Sequence, residues 1–282
     1  LADVSHALGL DYQVFKKVNG DECKAWIGSK RATLGVSVSY DQIFKESTCS
    51  LFPAGAINAH CGKLPYYRGR NILNWALING EAEFGMTIHY IDKAIDTGNI
   101  IHQVVLPIGL DDDYQTLLTR SIEEMPALVT KAISDLEADV ATPRTQGFWE
   151  GTFFSKRRSG DESIDWTRSS LEIFNFVRGI TRPAPGARAN IDGNDLVIWK
   201  VGFEPTSPSY EAIAGEVVAW TAERQPVVKT GDSVIFLLDY EWVSGGPKLR
   251  IGHRFMGVDA RRIQELEDKV ARLESMLLAR TE

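Results

Sequence analysis

The first half of the chain alternates short apolar runs with helical spacing, a pattern typical of an α/β domain with a mostly parallel, Rossmann-like sheet. Residues before Leu10 have the pattern of the end of a helix. The apolar stretch Asn71–Asn79 predicts a buried helix, and a longer helix follows Asp111–Asp113, with Pro126 expected to kink or interrupt it. The predicted strands are Tyr12–Val14, Leu34–Val38, Gly55–Asn58, Gly85–Ile91 and Ile100–Leu106.

The second half changes to one helix followed by several short β runs. Ser169 and Glu172 have the spacing of a capping box, which predicts that a helix begins there. Asp192 and Gly193 separate two apolar runs and predict a hairpin turn. The predicted strands are Ala187–Ile191, Leu196–Val201, Glu216–Trp220, Val227–Lys229, Val234–Tyr240 and Lys248–Ile251. Short strands in this number are typical of a small OB-like β domain.

These patterns predict four regions: an α/β domain over 1–137, a linker over 138–161, the OB-like domain over 162–257 and a helix over 258–282. Apolar residues three or four apart in the last region form heptads, namely Ile263, Leu266, Val270, Leu273 and Leu277. Such heptads favour a two-stranded coiled coil and therefore a homodimer. A terminal helix that packs on its own domain explains the same pattern.

Composition excludes several classes of protein. The formal net charge is -7, which argues against a broad nucleic-acid surface, because binding phosphates requires clustered cations. We find no apolar run long enough for a transmembrane helix and no signal-peptide pattern, and we expect no membrane partner. Cys23, Cys49 and Cys61 lack CxxC spacing, which favours reduced thiols and a cytoplasmic protein. His6 and His253 have no metal-ligand spacing, so we predict no metal.

The candidate chemistry lies between Gly55 and Ile101. Asn58 and His60 are two residues apart at a strand end, so their side chains point the same way. A neutral imidazole can take a proton there, and an amide can donate to a developing oxyanion. Asp96 precedes a Thr-Gly turn that can bring its carboxylate to the imidazole. We expect Cys61, His89 and His102 to be packing or hydrogen-bonded core residues.

The motif NxHxxxLPxYRG at 58–69, followed by Trp75, GE, GMT and DTG, resembles the catalytic core of the 10-formyltetrahydrofolate-dependent formyltransferases. The resemblance implies that Asn58, His60 and Asp96 form the catalytic triad and that 10-formyltetrahydrofolate is the cosubstrate. Two departures are present. Gly62-Lys63 stand where the family often has Ser-Leu, and Asn99 stands where it often has Asp.

The resemblance also implies which residues contact the folate. They lie in the loop after the second predicted strand, in the YRG region and in the segment before Asp96. The predicted cofactor contacts are Tyr40, Asp41, Gln42, Arg70, Asp92, Lys93, Ala94 and Ile95.

Three formyl acceptors are compatible with this resemblance. The segments HCGKLPYYRGRNILNW, SKRRSGDESIDW and TRPAPGA are similar to those of enzymes that formylate nucleotide-linked amino sugars. Lys63, Arg157 and Arg158 are then candidates for binding a pyrophosphate, with Lys156 beside them. The second acceptor, the methionine of initiator tRNA, needs a basic face, and we find no basic stripe over 187–257. Water, the acceptor of the related hydrolases, is the weakest alternative.

The start of the chain raises a different hypothesis. In the family that the motifs resemble, a strand, a helix and a second strand precede the region that begins here at Leu1. We therefore expect an N-terminally incomplete catalytic domain. The rival function is that of an inactive fragment that serves as a coiled-coil assembly module.

Overall fold

The computed structural model describes residues 2–257, 266, 267 and 269–276. The helices are α1 (Ala2–Ala7), α2 (Asp21–Lys30), α3 (Glu46–Cys49), α4 (Ile72–Ile78), α5 (Tyr114–Glu137) and α6 (Ser170–Ile180). The strands are β1 (Gly35–Val38), β2 (Ala56–His60), β3 (Arg68–Gly69), β4 (Glu83–Tyr90), β5 (Ile100–Pro107), β6 (Phe153–Phe154), β7 (Ala187–Ile191), β8 (Asn194–Gly202), β9 (Val217–Trp220), β10 (Pro226–Lys229) and β11 (Val234–Trp242).

These elements form two units, each assembled from separate segments. The first unit comprises the chain up to Gly69 together with Gly85–Leu106 and Ser121–Phe154. The second comprises Arg70–Phe84, Pro107–Arg120 and the chain from Ser155 onward.

The sheet of the first unit has the order β1-β2-β4-β5. β1 and β2 are parallel, whereas β4 is antiparallel to β2. The α/β class is therefore confirmed, and the expectation of a mostly parallel sheet holds for the β1–β2 ladder only. Apolar residues of the sheet and of α5 form the core, and they include Ile57, Met86, Ile88, Met125 and Ala132.

The second unit contains the antiparallel sheet β7-β8-β11-β10-β9, as expected for an OB-like domain. The predicted hairpin is present, with Asp192 and Gly193 at its turn. The capping box is also confirmed, because the Ser169 hydroxyl accepts a hydrogen bond from the Glu172 backbone N–H and the Glu172 carboxylate accepts one from the Ser169 backbone N–H. α6 packs its apolar face on the sheet, where Trp166 is buried too.

Several local predictions are wrong. Tyr12–Val14 is not a strand, because it pairs with none of the strands that the structure describes and leaves the side chains of Tyr12 and Val14 exposed. Lys248–Ile251 is not a strand either: it leads into a turn at Ile251, and Leu249 is its one buried residue. Pro126 does not interrupt α5. Because Pro126 is exposed, the carbonyl it leaves without an intrahelical partner can bond to water.

The remaining expectations concern the linker, the cysteines and the chain end. The predicted linker contains a 3-10 turn at Phe148–Glu150 and β6, which pairs in parallel with β3. All three cysteines are free. Among the described helices, none combines the length and apolarity needed to cross a membrane. The prediction for 258–282 falls largely outside the described residues.

Candidate active site

The register of β2 against β4 creates the centre of the candidate site. Asn58 lies directly opposite His89, and His60 lies opposite Thr87. Residues opposite each other on antiparallel strands have Cβ atoms about 4.5–5.5 Å apart, and alternate residues share a face. All four side chains are therefore presented on one side of this strand pair.

Asp96 reaches this face from the loop between β4 and β5. Its backbone has φ of 55°, a left-handed conformation that is uncommon for a residue other than glycine. The Gly69 N–H donates to Asp96 Oδ2 at 2.7 Å, and the Gln146 side chain donates to the carbonyls of Asp96 and Gly98 at 3.1 and 2.6 Å. A Cβ on Gly98 would lie 1.8 Å from the Tyr90 carbonyl oxygen, so only glycine fits this turn.

His60 is 8% exposed and lies between Asp96 and Tyr67. Its Nδ1 is 3.6 Å from Asp96 Oδ2, and its Nε2 is 2.7 Å from the Tyr67 carbonyl oxygen. Because a carbonyl only accepts, Nε2 carries a hydrogen and donates it to Tyr67. Burial lowers the pKa of His60, although the Asp96 carboxylate and the Tyr67 carbonyl act in the opposite direction. The imidazole is therefore neutral at neutral pH.

Gly62 makes the contact between His60 and Tyr67 possible. A Cβ at this position would lie 2.4 Å from both His60 Nε2 and the Tyr67 carbonyl oxygen. Atoms cannot approach so closely, so a side chain at position 62 would force the ring or the carbonyl to move. This is one of the two positions where the sequence departs from the Ser-Leu of the family it resembles.

His89 is a functional candidate that the sequence analysis missed. It is 2% exposed, and its Nε2 lies 3.3 Å from Asn58 Nδ2 and 3.5 Å from Asp96 Oδ1. Its ring is also nearly perpendicular to that of His60. The signal was the alternation of Thr87 and His89 in a predicted strand. It became informative only with the antiparallel register that places His89 opposite Asn58.

Asp96 is therefore a carboxylate shared by two imidazoles. Burial raises its pKa, but the contact with His89, the proximity of His60 and the Gly69 N–H outweigh this effect and lower the pKa overall. An ionised carboxylate beside His60 stabilises the imidazolium that forms when the ring takes a proton. The arrangement thus provides a base with a counter-ion and an amide hydrogen-bond donor, which is what acyl transfer requires.

Gln146 holds the Asp96–Gly98 turn through hydrogen bonds and Arg68 holds Gln146, and neither residue was predicted from the sequence. Arg68 is fully buried, and its Nη2 donates to Gln146 Oε1 at 2.9 Å and to the Gly147 carbonyl at 3.2 Å. Gln146 in turn holds the Asp96 backbone. Because Gln146 lies 50 residues after Asp96, in the predicted linker, no local sequence pattern connects them.

The predicted folate contacts in the first unit occupy two loops. Tyr40 and Ile95 are exposed apolar side chains, and Lys93 is exposed beside Glu46. Asp92 Oδ1 accepts from the Ala94 N–H and the Thr97 hydroxyl, which fixes the loop before Asp96.

The remaining predicted folate contacts differ in how they are placed. Gln42 uses its side chain inside the fold, where it bonds to Val18 and Lys16. Asp41 is exposed in the same loop as Tyr40, and Arg70 is exposed in the second unit.

The predicted acceptor contacts also differ in placement. Lys63 is half-buried and follows Gly62 in the first unit. In the second unit, the Arg157 guanidinium lies 5.4 Å from the Trp75 ring and 5.5 Å from the Phe176 ring, between α4 and α6. The Arg158 side chain is exposed, and its backbone N–H donates to Asp161. Arg157 therefore contributes to packing, whatever else it binds.

We find no group of three or more His, Cys, Asp or Glu side chains that could hold a metal ion among the described residues. His89, His60 and Asp96 lie together, and the two imidazoles hydrogen-bond to backbone carbonyls through Nδ1 of His89 and Nε2 of His60.

Two family models match the chain. The model described as "Formyl transferase" matches residues 15–133, and "Formyl transferase, C-terminal domain" matches residues 157–247. The first match contains the Asn58, His60 and Asp96 cluster, and the second contains all five strands of the antiparallel sheet.

Curated relatives agree with these models. A methionyl-tRNA formyltransferase of Halothermothrix orenii is 31% identical over 270 residues, covering 93% of this chain and 84% of that protein. A methionyl-tRNA formyltransferase of Solibacter usitatus is 31% identical over 237 residues, covering 83% and 74%.

Solved structures show the same fold. The sugar 3N-formyl transferase WlaRD, crystallised with dTDP and 5-N-formyl-THF, has a TM-score of 0.64 at 21% identity over 87% of this chain and 82% of its own. A Helicobacter canadensis N-formyltransferase in complex with folinic acid and dTDP-3-aminofucose has a TM-score of 0.62 at 22% identity, covering 84% and 81%. HypX from Aquifex aeolicus has a TM-score of 0.60 at 18% identity, covering 82% and 41%.

Proposed function

This chain belongs to the formyl transferase family, enzymes that take a formyl group from formyl-tetrahydrofolate, and we propose that its acceptor is the amine of a nucleotide-linked deoxy amino sugar. The observation that carries the transfer chemistry is the placement of His60 Nδ1 3.6 Å from Asp96 Oδ2, on the same strand face as Asn58. The catalytic roles of these three residues are part of the proposal.

The residues of the first unit fit the folate. A flat heterocycle needs apolar walls and ordered backbone groups, and the exposed Tyr40 and Ile95 side chains with the fixed 92–97 loop supply both. We therefore expect Tyr40, Asp41 and the backbone of Asp92–Ile95 to hold it. When bound, 10-formyltetrahydrofolate supplies a formyl group that is activated for transfer.

The mechanism follows from the protonation of the site. His60 is neutral, so its Nδ1 can take the proton that the attacking amine must lose and return it to the nitrogen from which the formyl group departs. In the charged ring, Nδ1–H faces Asp96 Oδ2, and the lowered pKa of Asp96 keeps the carboxylate ionised to balance this charge. The Asn58 amide donates to the oxygen on which negative charge develops, an interaction typically worth about 3–4 kcal/mol.

The charge of residues 187–257, which contain the antiparallel sheet, supports a small acceptor rather than a nucleic acid. Residues 187–257 contain nine acidic and seven basic side chains, and one of the seven, Lys229, is only 1% exposed. A tRNA-binding face requires clustered, accessible cations. A nucleotide-linked sugar needs only a local contact for its phosphates, a role that we assign to Lys63, three residues after His60 in the sequence.

Methionyl-tRNA is the second candidate acceptor. It is favoured by the names of the curated relatives, which are 31% identical to this chain. The structures with bound nucleotide or nucleotide sugar are less than 25% identical to it and support the fold alone.

One assay separates the two acceptors. The chain is incubated with 10-formyltetrahydrofolate and, in parallel, with a panel of nucleotide-linked amino sugars and with charged initiator tRNA. We expect formylation of at least one sugar amine and none of the tRNA, with Asp96→Asn as the inactive control. Formylation of methionyl-tRNA alone would replace the proposed acceptor, and transfer to neither class would contradict both.

A further inference from the structure

The mechanism above does not use His89, a buried polar residue of the site. We propose that His89 is a positioning residue, which aims the Asn58 amide and confines the Asp96 carboxylate. This inference rests on the proposed function of the same site. Its basis is the cross-strand pairing of His89 with Asn58 and the position of its Nε2 between the two side chains.

The hydrogen positions on the His89 ring follow from its partners. Its Nδ1 lies 2.8 Å from the Tyr90 carbonyl oxygen, and a carbonyl only accepts, so Nδ1 carries a hydrogen. In the neutral ring Nε2 is then bare and accepts one hydrogen of the Asn58 NH2 group at 3.3 Å. This contact fixes which edge of the amide faces His89 and leaves the second amide hydrogen to donate to the reacting oxygen.

The same ring limits the movement of Asp96. Oδ2 of this carboxylate faces His60 and the Gly69 N–H, and Oδ1 lies 3.5 Å from His89 Nε2. This nitrogen has a hydrogen to donate to Asp96 only in the charged ring, so in the neutral ring the contact confines the carboxylate by packing. With a ring on either side, the carboxylate cannot rotate away from His60 without displacing a buried side chain. Because His89 is 2% exposed and its ring nitrogens face the Tyr90 carbonyl, Asn58 and Asp96, we assign it orientation rather than proton transfer.

Two amide substitutions of His89 test the contacts of its two ring nitrogens separately. In His89→Asn the amide reaches only the former position of Nδ1, so the Tyr90 contact is kept and the Asn58 contact is lost. In His89→Gln the amide reaches the former position of Nε2, so its oxygen still accepts from Asn58. His102→Gln is the matched control, because His102 bonds Asp135 outside the site.

The expected result is a fall in kcat of about 10- to 100-fold for His89→Asn, the size of a small misplacement of a reacting group, with KM for both substrates nearly unchanged. His89→Gln should retain most of the wild-type kcat, and His102→Gln all of it. Equal losses in His89→Asn and His89→Gln that follow their loss of thermal stability would overturn the proposal, since they would indicate a structural role only.

A measurement without turnover separates this inference from the proposed function. ¹⁵N NMR of the wild-type imidazoles should show that the neutral form of His89 has its hydrogen on Nδ1 and none on Nε2. A hydrogen on Nε2 would contradict the assigned orientation of Asn58. If the wild type formylated no acceptor, the proposed function would fail, and this spectrum alone would then decide the role of His89.

Discussion

Asp96 in the first unit and Asp232 in the second lie in similar sequences but contact different kinds of partner. One belongs to Asp-Thr-Gly and the other to Thr-Gly-Asp. Asp96 faces two imidazoles and one backbone N–H. Asp232 Oδ1 accepts from the Ser170 N–H, the Ser170 hydroxyl and the Thr230 hydroxyl at 2.8–3.0 Å, at the start of α6.

The difference lies in the partners. Imidazoles change their proton count near neutral pH, whereas hydroxyls and backbone N–H groups do not. Each aspartate has a lowered pKa: in each case burial raises it, but hydrogen bonds and, for Asp96, the nearby imidazoles outweigh burial. In the proposed mechanism the same residue type thus serves proton transfer in one unit, whereas in the other it accepts hydrogen bonds at a helix start.

The largest expected effect comes from removing the charge of Asp96. Asp96→Asn keeps an oxygen for the Gly69 N–H but loses the counter-ion of the His60 imidazolium. We expect turnover to fall by about 10²–10⁴-fold, the usual contribution of acid–base catalysis, with little change in the unfolding midpoint. Steady-state kinetics with a parallel thermal melt measures both, and an enzyme with full turnover would refute the role assigned to Asp96.

A second test uses the glycine beside each aspartate. A Cβ on Gly98 would lie 1.8 Å from the Tyr90 carbonyl oxygen, and one on Gly231 would lie 2.0 Å from the Thr167 carbonyl oxygen. Gly98→Ala and Gly231→Ala should each destabilise the fold by about 1–3 kcal/mol through overpacking. Only Gly98→Ala should also lower turnover per folded molecule. Urea titration with active-site kinetics checks this, and equal turnover in both variants contradicts it.

The pH dependence of stability should contain a contribution from His60 in the first unit that has no counterpart at Asp232 in the second. Burial lowers the folded-state pKa of His60 below its ordinary value of about 6.5, so the unfolded chain binds this proton first as the pH falls. Stability from this group should therefore decrease below about pH 6.5, by at most about 1.4 kcal/mol per pH unit, and level off once the folded ring is protonated.

His60→Gln should lack this pH-dependent loss. The lowered pKa values of Asp96 and Asp232 act in the other window, because their stabilisation is complete above about pH 4 and is lost as the pH falls further. Urea unfolding between pH 5 and pH 8 tests the assignment. Parallel stability curves for wild type and His60→Gln in that range would show that His60 does not titrate as described.

The smallest effect is expected for Asp232→Asn. An acidic group at a helix start contributes about 0.3–1 kcal/mol, and the amide oxygen still accepts from Ser170. We expect a loss of stability in that range and unchanged kcat. Calorimetry and the same assay measure them, and a large loss of turnover would show that the two aspartates are less different than their partners indicate.

Much of the fold could be predicted from periodicity and capping, because these signals are local. α6 has its capping box, the β7–β8 hairpin has its Asp-Gly turn, and the strands of both sheets begin near the expected residues. Tyr12–Val14 and Lys248–Ile251 have the composition of strands, but a strand also needs a neighbour. Neighbours are set by tertiary structure, which no short window of sequence contains.

The candidate site also has residues that could be predicted from the sequence and residues that could not. Asn58 and His60 lie two apart in one strand, and a turn sequence follows Asp96, so their convergence could be inferred. His89 joins them through the antiparallel register, and Gln146 joins through a long-range contact. Both require the fold to be known first. The roles of Tyr40, Asp41, Gln42, Arg70, Lys63, Arg157 and Arg158 stay predictions.

Because Gly62 has no side chain, the Tyr67 carbonyl can bond His60, and it therefore competes with any ligand for the same hydrogen. A ligand that accepts a hydrogen bond from His60 Nε2 must displace the Tyr67 carbonyl, whose oxygen lies 2.7 Å from Nε2. Exchanging one such bond is worth about 0.5–1.5 kcal/mol, equivalent to roughly a 2- to 10-fold weakening of apparent affinity. Inhibitors that leave this bond intact and reach Asn58 instead would avoid that penalty.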